Sequence, residues 1–211
     1  MTTPPALSGL FHVEDSMRVS TAGIVEIAGH EGIVPAPYLD SAGVWTWGVG
    51  HTAAAGDPDP ARMDRAMPRN LDAAVIAALR QFKLDLAIYA DRVRQAIRVP
   101  LRPHEFDALV SFDFNTGGIF KARLTRAINA GERDAARHFM GWVRPPEIRT
   151  RRAAEMALFR TGNYRANGDL VPVWRTDGKG RLRGIIQRMH GAELIGWLDG
   201  TPLPPMIAPQ P

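Results

Sequence analysis

Residues 31–52 read EGIVPAPYLDSAGVWTWGVGHT, and this stretch predicts a β-hairpin. Asp40 and Gly43 bracket a turn, and the aromatic and β-branched residues that follow predict one strand over residues 44–52. Because side chains alternate along a strand, a ligand could closely approach the face that carries few large ones. The residues of that face are Val44, Thr46, Gly48, Gly50 and Thr52.

A short helix is predicted immediately before the hairpin. Ser20 or Thr21 can cap its start, apolar residues follow at helical spacing, and Gly32 is expected to end it. The next position of the apolar stripe is Glu31. We therefore expect a carboxyl group on the buried face of the last turn, where desolvation and the negative end of the helix favour its protonated form.

The rest of the chain is predicted to be mostly helical. Asn70 can cap an amphipathic helix of about 27 residues that Pro100 ends, and Pro103 can begin another that closes at residues 115–118. Further helices are expected at residues 119–129, 132–142, 148–161 and 182–189. The predicted fold class is therefore α+β, mostly helical, with one small hairpin near the front.

Composition excludes several classes of site. The 211 residues include no Cys, which rules out disulfide scaffolds, thiolate zinc sites, iron–sulfur clusters and cysteine nucleophiles. The net charge is +4, and residues 144–188 hold eleven basic against four acidic side chains. This excess points to an anionic partner such as nucleic acid, a membrane surface or an acidic wall polymer. A solvated arginine-rich surface explains it equally well on composition alone.

Glu31, Asp40 and Thr46 form the candidate catalytic group. A carboxyl group in an apolar setting can act as a general acid, while a carboxylate in a wetter turn stays ionised and can position or deprotonate a water. A threonine hydroxyl on the open face of the strand can hold the same water. Two carboxyl groups in different environments are what glycoside hydrolysis requires. Such acids are also commonplace at helix ends and in turns, so the residues alone leave a structural role open.

The spacing of these residues resembles that of the phage-type lysozymes, glycoside hydrolase family 24. In that family an acid follows a helix, an aspartate comes nine residues later, a threonine six after that, and Gly-x-Gly-His closes the hairpin. Glu31, Asp40, Thr46 and residues 48–51 match this pattern. Residues 106–117 and 151–162 resemble the family's middle and closing helices, so the matches run in order over roughly residues 22–164.

The resemblance implies a lysozyme-like fold, with a small β-hairpin lobe and a larger helical lobe joined by a long helix. It implies Glu31 as the proton donor to the glycosidic oxygen, with Asp40 and Thr46 holding the attacking water on the other face of the sugar. The implied substrate is peptidoglycan, cut at the β-1,4 bond between N-acetylmuramic acid and N-acetylglucosamine without metal or cofactor. Thr52 and Phe114 match residues that line the family's groove.

Other residues near this group have further interpretations. Phe114 fits a core position as well as a groove. Arg151 matches a family arginine that faces the catalytic acid. His51 and Asp85 are expected to form a structural pair that ties the hairpin to the long helix. His30, next to Glu31, lacks the second histidine or cysteine pair that a zinc site needs.

We predict three parts in the chain. These are an N-terminal arm at residues 1–19, a lysozyme-like catalytic domain at residues 20–164, and a basic C-terminal extension at residues 165–211 packed on that domain. The extension would place cations against the anionic wall or the outer membrane, namely Arg175, Lys179, Arg181 and Arg183. The alternative is that it only adds packing and carries its arginines on the surface.

Two other functions compete with the hydrolytic one. The first is a non-hydrolytic cationic protein that binds wall or membrane on a lysozyme fold. The second is a lytic transglycosylase, which uses a single acid and does not need Asp40 and Thr46. We expect a monomer that binds peptidoglycan and not nucleic acid. The sequence has no recognisable secretory signal, so we expect synthesis in the cytoplasm of a bacterial host. The family resemblance implies release to the periplasmic wall through a phage holin.

Overall fold

The computed structural model describes residues 18–164 and 169–204, so the predicted arm lies outside the described residues as far as residue 17. The helices in this part are α1 (Thr21–Glu31), α2 (Leu71–Ala96), α3 (Pro103–Thr116), α4 (Arg123–Asn129), α5 (Arg149–Thr161) and α6 (Gly191–Leu198). The strands are β1 (Val34–Leu39), β2 (Trp45–Gly48), β3 (His51–Thr52), β4 (Leu170–Thr176) and β5 (Leu182–His190). Residues 132–142, predicted to be α-helical, contain a 3-10 helix at Ala135–Gly141.

α1 begins and ends where the sequence predicts. The Ser20 hydroxyl accepts a hydrogen bond from the Gly23 amide at 2.9 Å. Gly32 ends the helix with a φ of 80°, and its amide donates to the Ala28 carbonyl at 2.7 Å. The chain turns directly from α1 toward β1, which places Glu31 at the junction between helix and sheet.

β1, β2 and β3 form an antiparallel three-stranded sheet. The prediction of a single strand over residues 44–52 is wrong, because the chain reverses between Gly48 and Gly50, whose φ values are 66° and 77°. Glycine adopts such values at little steric cost, and here they permit a tight turn between β2 and β3. β2 is therefore the central strand of the sheet.

Gly48 faces a helix and not an open cleft. A β-carbon at this position would lie 3.2 Å from the β-carbon of Ala78 in α2. Thr46 on the same strand is also buried. At Gly48 the expectation of a bare face for ligand approach is therefore wrong, because this end of β2 packs on α2.

α2 and α3 agree with prediction. Asn70 caps α2 by accepting a hydrogen bond from the Ala73 amide at 3.0 Å, and the helix runs for 26 residues. α3 begins at Pro103 and ends at Gly117, whose φ is 59°. α2 contacts both the sheet and α3, so it joins the β-lobe to the helical lobe. The two helices bury a set of large apolar side chains: Val75, Leu79, Phe82, Leu86, Phe106, Leu109 and Phe112.

The prediction of a helix over residues 182–189 is wrong, because this segment forms β5, which pairs with β4 in an antiparallel hairpin. Asp177 builds its turn by accepting hydrogen bonds from the Lys179 and Arg181 amides at 2.9 and 3.0 Å. Irregular pairing around Trp174 interrupts the alternation along the hairpin. The apolar residues of β5 therefore recur at uneven intervals that imitate helical spacing.

The β4–β5 hairpin packs on α1 and on the start of β1. The Ile33 amide donates to the Pro172 carbonyl at 2.9 Å, and the Trp174 amide donates to the Ile33 carbonyl at 2.8 Å. Side chains from the hairpin and α6 are buried in the same hydrophobic core as those of α1: Val171, Val173, Met189, Leu194 and Trp197. The described part of the C-terminal extension is thus integrated into the fold, while the division of the chain into three parts stays a prediction.

Candidate active site

Glu31 is the last residue of α1 and lies at the surface. The expectation that it sits on the buried face of the last turn is wrong, since 32% of its side chain is exposed. The apolar stripe of α1 ends one turn earlier, at Ala28, because the neighbour of residue 31 is a guanidinium group and not the core. Arg151 Nη1 donates a hydrogen bond to Glu31 Oε1, which is the contact that the family resemblance implies.

A buried ionic cluster holds Arg151 in place. Its Nε atom donates to Glu155 Oε1 at 3.1 Å, and Arg152 and Ser111 donate to the same oxygen at 3.0 and 2.7 Å. Burial raises the pKa of Glu155, and the two arginines oppose this shift. Burial also lowers the pKa of Arg152 to about 10, so this side chain keeps its charge at neutral pH. Arg151 is therefore a fixed cation beside Glu31.

His30 lies beside this cluster and directly precedes Glu31. Burial lowers the pKa of His30 to about 3, with further contributions from the positive charges of Arg151 and Arg152. The imidazole is therefore neutral at pH 7. On its own helix it lies near Glu26, whose Oε1 is 4.0 Å from Nε2 of the ring.

Asp40 lies in the turn between β1 and β2, as predicted, and is half-buried. Its Oδ1 atom accepts hydrogen bonds from the Ala42 and Val44 amides at 2.8 and 2.9 Å. Within residues 18–164 and 169–204, Oδ2 has no hydrogen-bond donor. The turn therefore fixes the carboxylate and leaves one of its oxygens available to a ligand.

Thr46 lies at the centre of the sheet, with only 3% of the residue exposed. Its hydroxyl donates to the Val44 carbonyl at 3.1 Å, so the hydroxyl oxygen remains free to act as an acceptor. Asp40 binds the amide of the same Val44. The backbone of Val44 thus connects Asp40 and Thr46 through two hydrogen bonds.

Tyr38 belongs to this site, although sequence reasoning assigned it no role. It pairs with Thr46 across the sheet. Burial raises the pKa of Tyr38, and the negative charges of Asp40 and Glu31 raise it further. The phenol is therefore near both candidate acids and stays protonated at neutral pH. The sequence offered one indication of this role, because Tyr38 lies on the predicted hairpin two residues before Asp40.

The two predicted groove residues differ in their surroundings. Thr52 is half-buried and pairs with Thr46 at the edge of the sheet. Phe114 is also half-buried, and its ring packs edge-on against Phe82 and Tyr89 at centroid distances of 5.3 and 5.1 Å. A substrate-binding role for either residue stays a prediction.

His51 and Asp85 form the predicted structural pair. The Nδ1 atom of His51 lies 3.0 Å from Asp85 Oδ2, and Nε2 lies 2.9 Å from the Pro58 carbonyl. This pair ties β3 to α2, and the contact with Pro58 occupies the second ring nitrogen of His51. Over the part of the chain that the structure describes, His, Asp and Glu side chains form no group of three that could hold a metal ion.

The sequence profile of the Phage lysozyme family matches residues 28–155, which hold every candidate catalytic residue described above. The chain belongs to the phage lysozyme family. It is accordingly a glycoside hydrolase, of a family that hydrolyses peptidoglycan. The family region ends within α5, so β4, β5 and α6 lie beyond it.

Two relatives illustrate this membership. The endolysin of Acyrthosiphon pisum secondary endosymbiont phage 1 is 31% identical over 157 residues, covering 69% of this chain and 99% of the relative. The SAR-endolysin of Escherichia phage Mu is 35% identical over 148 residues, covering 66% of this chain and 78% of the relative. Both alignments therefore leave about a third of this lysozyme-family chain unmatched.

Solved structures share the lysozyme fold with this chain. A variant of P22 lysozyme aligns with a TM-score of 0.60 and 28% identity, covering 68% of this chain and 99% of that one. The muramidase domain of SpmX from Asticaccaulis excentricus aligns with a TM-score of 0.55 and 29% identity, covering 68% of this chain and 98% of that one. These likenesses confirm the predicted fold class.

Proposed function

We propose that this phage lysozyme-family enzyme hydrolyses the β-1,4 bond between N-acetylmuramic acid and N-acetylglucosamine, with Glu31 as general acid. The supporting observation is that two carboxylates near Tyr38 each keep one oxygen without a hydrogen-bond donor in the described residues. These oxygens are Oε2 of Glu31 and Oδ2 of Asp40. Two carboxyl groups with one open oxygen each are what acid- and base-assisted glycoside hydrolysis needs.

Glu31 would give its proton to the glycosidic oxygen as the bond to the leaving sugar breaks. Arg151 would stabilise the carboxylate that remains, because its guanidinium already binds Oε1. Asp40 would accept a proton from the attacking water through Oδ2. Thr46 would accept a second hydrogen bond from that water, since its own proton is bound to the Val44 carbonyl. The water would approach from the face of the sugar opposite the leaving group.

The proposed setting of this reaction is the bacterial wall, where phage endolysins act, with the enzyme working as a monomer. In residues 18–164 and 169–204 no helix is long and apolar enough to cross a membrane. The basic extension is proposed to contact an anionic partner there.

Clearing of purified peptidoglycan, with mass analysis of the fragments, tests the proposed reaction. The wild type should release fragments with reducing ends, and Glu31→Gln should lower the rate about 100- to 10,000-fold because the proton donor is lost. Glu147→Gln makes the same chemical change at an exposed position and should leave the rate unchanged.

Three outcomes would count against the proposal. Equal clearing by wild type and Glu31→Gln would mean that Glu31 is not the acid. Fragments ending in 1,6-anhydro sugars would favour the transglycosylase. Wall binding by both proteins without released fragments would favour the non-hydrolytic cationic protein.

A further inference from the structure

The tip of the β4–β5 hairpin, residues 177–183, lies against the strand ends that carry Asp40 and Thr46. The Leu39 amide donates a hydrogen bond to the Gly180 carbonyl at 2.8 Å. A β-carbon on Gly180 would lie 2.6 Å from the ring of Trp45. Leu39 and Trp45 pair with each other across the sheet, so the tip adjoins the Asp40 turn. The tip lies outside the family region, which ends at residue 155.

The tip presents more positive than negative charge. Lys179, Arg181 and Arg183 are exposed there, against the single acid Asp177. Hydrogen bonds from the Arg181 amide and from the two arginine side chains hold the pKa of Asp177 well below its usual range. Asp177 therefore stays ionised and anchors the turn, while an excess of cations faces solvent.

A fourth cation extends this charge over the sheet. The guanidinium of Arg65 lies over the ring of Trp45, with its carbon 4.3 Å from the ring centroid. The ring of Trp45 thus contacts both Gly180 of the tip and the guanidinium of Arg65. Trp45 pairs with Leu39, the residue before Asp40, so this cationic surface reaches the Asp40 turn on the face of the sheet opposite to Thr46.

We propose that the hairpin tip and Arg65 form a subsite for the carboxylates of the peptide stems on the glycan strand being cut. The inference rests on the proposed function. Peptidoglycan stems carry free carboxylates, and guanidinium groups bind carboxylates through paired hydrogen bonds. A strand placed at Asp40 for cleavage would bring its own stems to this surface. The position of the tip beside Asp40 therefore favours the substrate over a lipid bilayer as its anionic partner.

Steady-state hydrolysis of two substrates by a charge-removed variant tests this subsite. In Lys179→Gln/Arg181→Gln, we expect the KM for intact peptidoglycan to rise about threefold to tenfold with little change in kcat, because lost ionic contacts weaken substrate binding. The KM for glycan strands stripped of their peptides by an amidase should stay unchanged. The effect should shrink as NaCl concentration rises.

Two further variants separate charge from structure. Arg80→Gln/Lys83→Gln removes one Arg and one Lys from exposed positions of α2, and it should leave the KM for both substrates unchanged. Lys179→Arg keeps the charge of the tip and leaves Arg181 in place, so it should retain the wild-type KM. A failure of this second variant to retain it would mean that the tip acts through its shape.

Other results would overturn the subsite. Equal KM values for the variant and the wild type on intact peptidoglycan would show that the tip does not bind stems. Unchanged KM values together with lost binding to phosphatidylglycerol vesicles would assign the tip to membranes. Co-sedimentation of Glu31→Gln protein with intact and stripped peptidoglycan, with and without the tip substitutions, measures stem binding without hydrolysis. It therefore distinguishes failure of the subsite from failure of the proposed reaction.

Discussion

At Gly32 the backbone leaves α1 with a φ of 80°, and the indole of Trp174 lies against its α-carbon. A β-carbon here would lie 2.6 Å from the indole nitrogen. Gly32→Ala should therefore displace the indole in addition to straining a left-handed backbone. We expect the free energy of unfolding to fall by about 3 kcal/mol, measured by urea denaturation.

Gly43 provides the matched control for this substitution. Its φ is 77°, and a β-carbon there would have no neighbour within 4 Å. Gly43→Ala should therefore show only the backbone cost, about 1 kcal/mol. Equal losses in the two variants would contradict a packing role for Trp174 against Gly32.

His30 gives the protein a specific sensitivity to acid. Its pKa is about 3 in the folded chain, against 6.5 for an unperturbed imidazole. Because the folded state binds this proton less readily, the stability that His30 contributes is complete above pH 6.5 and is lost as the pH falls toward 3. From about pH 7.5 to about pH 5.5 the loss amounts to about 1.4 kcal/mol.

His30→Gln should remove this component, because glutamine does not titrate. The free energy of unfolding of the variant should therefore fall less on acidification than that of the wild type, by about 1.4 kcal/mol. Urea denaturation at both pH values measures the difference. Identical pH dependence in the two proteins would mean that protons reach His30 in the folded state as easily as in the unfolded chain.

β4 is the element through which the extension joins the rest of the fold. Val173 in this strand is fully buried, and its backbone pairs with Ile33 in a parallel bridge. Val173→Ala should lower the free energy of unfolding by about 2 kcal/mol, because it leaves a cavity between the hairpin and α1. Thermal and urea denaturation would both report this loss.

Ile186→Ala offers a control on the same hairpin. Ile186 in β5 is 45% exposed, so its truncation should change stability by no more than about 0.5 kcal/mol. If Val173→Ala were equally mild, the hairpin would be a detachable appendage, and the packing of the extension on α1 would be of little energetic importance.

Elements with local signals could be predicted from the sequence, and elements that depend on distant partners could not. Ser20, Asn70 and Pro103 mark helix starts within a few residues, so α1, α2 and α3 were predictable. β4 pairs with β5 through an irregular ladder that disturbs the alternation of side chains, and its additional bridge to Ile33 lies far along the chain. The local pattern of β5 therefore resembles that of an amphipathic helix.

The candidate site likewise has features that the sequence predicts and features that depend on distant contacts. The spacing of Glu31 and Asp40 could be read directly, and the contact with Arg151 followed from a family resemblance. The exposure of Glu31 could not be predicted, because it depends on α5 bringing an arginine to the end of α1. The place of Tyr38 near both acids likewise depends on how the sheet meets α1.

At the scale of the whole molecule, one hydrophobic core runs through the described chain. It includes Ile24 in α1, Phe82 in α2, Phe112 in α3 and Trp197 in α6. The family region supplies most of the core side chains, and the first part of α1, the end of α5, the hairpin and α6 supply the remainder. The site is therefore supported from two sides, by the ionic cluster of α5 beneath Glu31 and by the hairpin beside β1.

The support of the site by the hairpin has a consequence for the order in which the site forms during translation. Trp174 and Gly180 contact Gly32 and Leu39, which lie roughly 140 positions earlier in the chain. A ribosome adds about 5–20 residues per second, so these neighbours follow roughly 7 to 30 seconds behind the segment that they support. The residues that carry out the proposed chemistry are thus translated well before the neighbours that complete their surroundings.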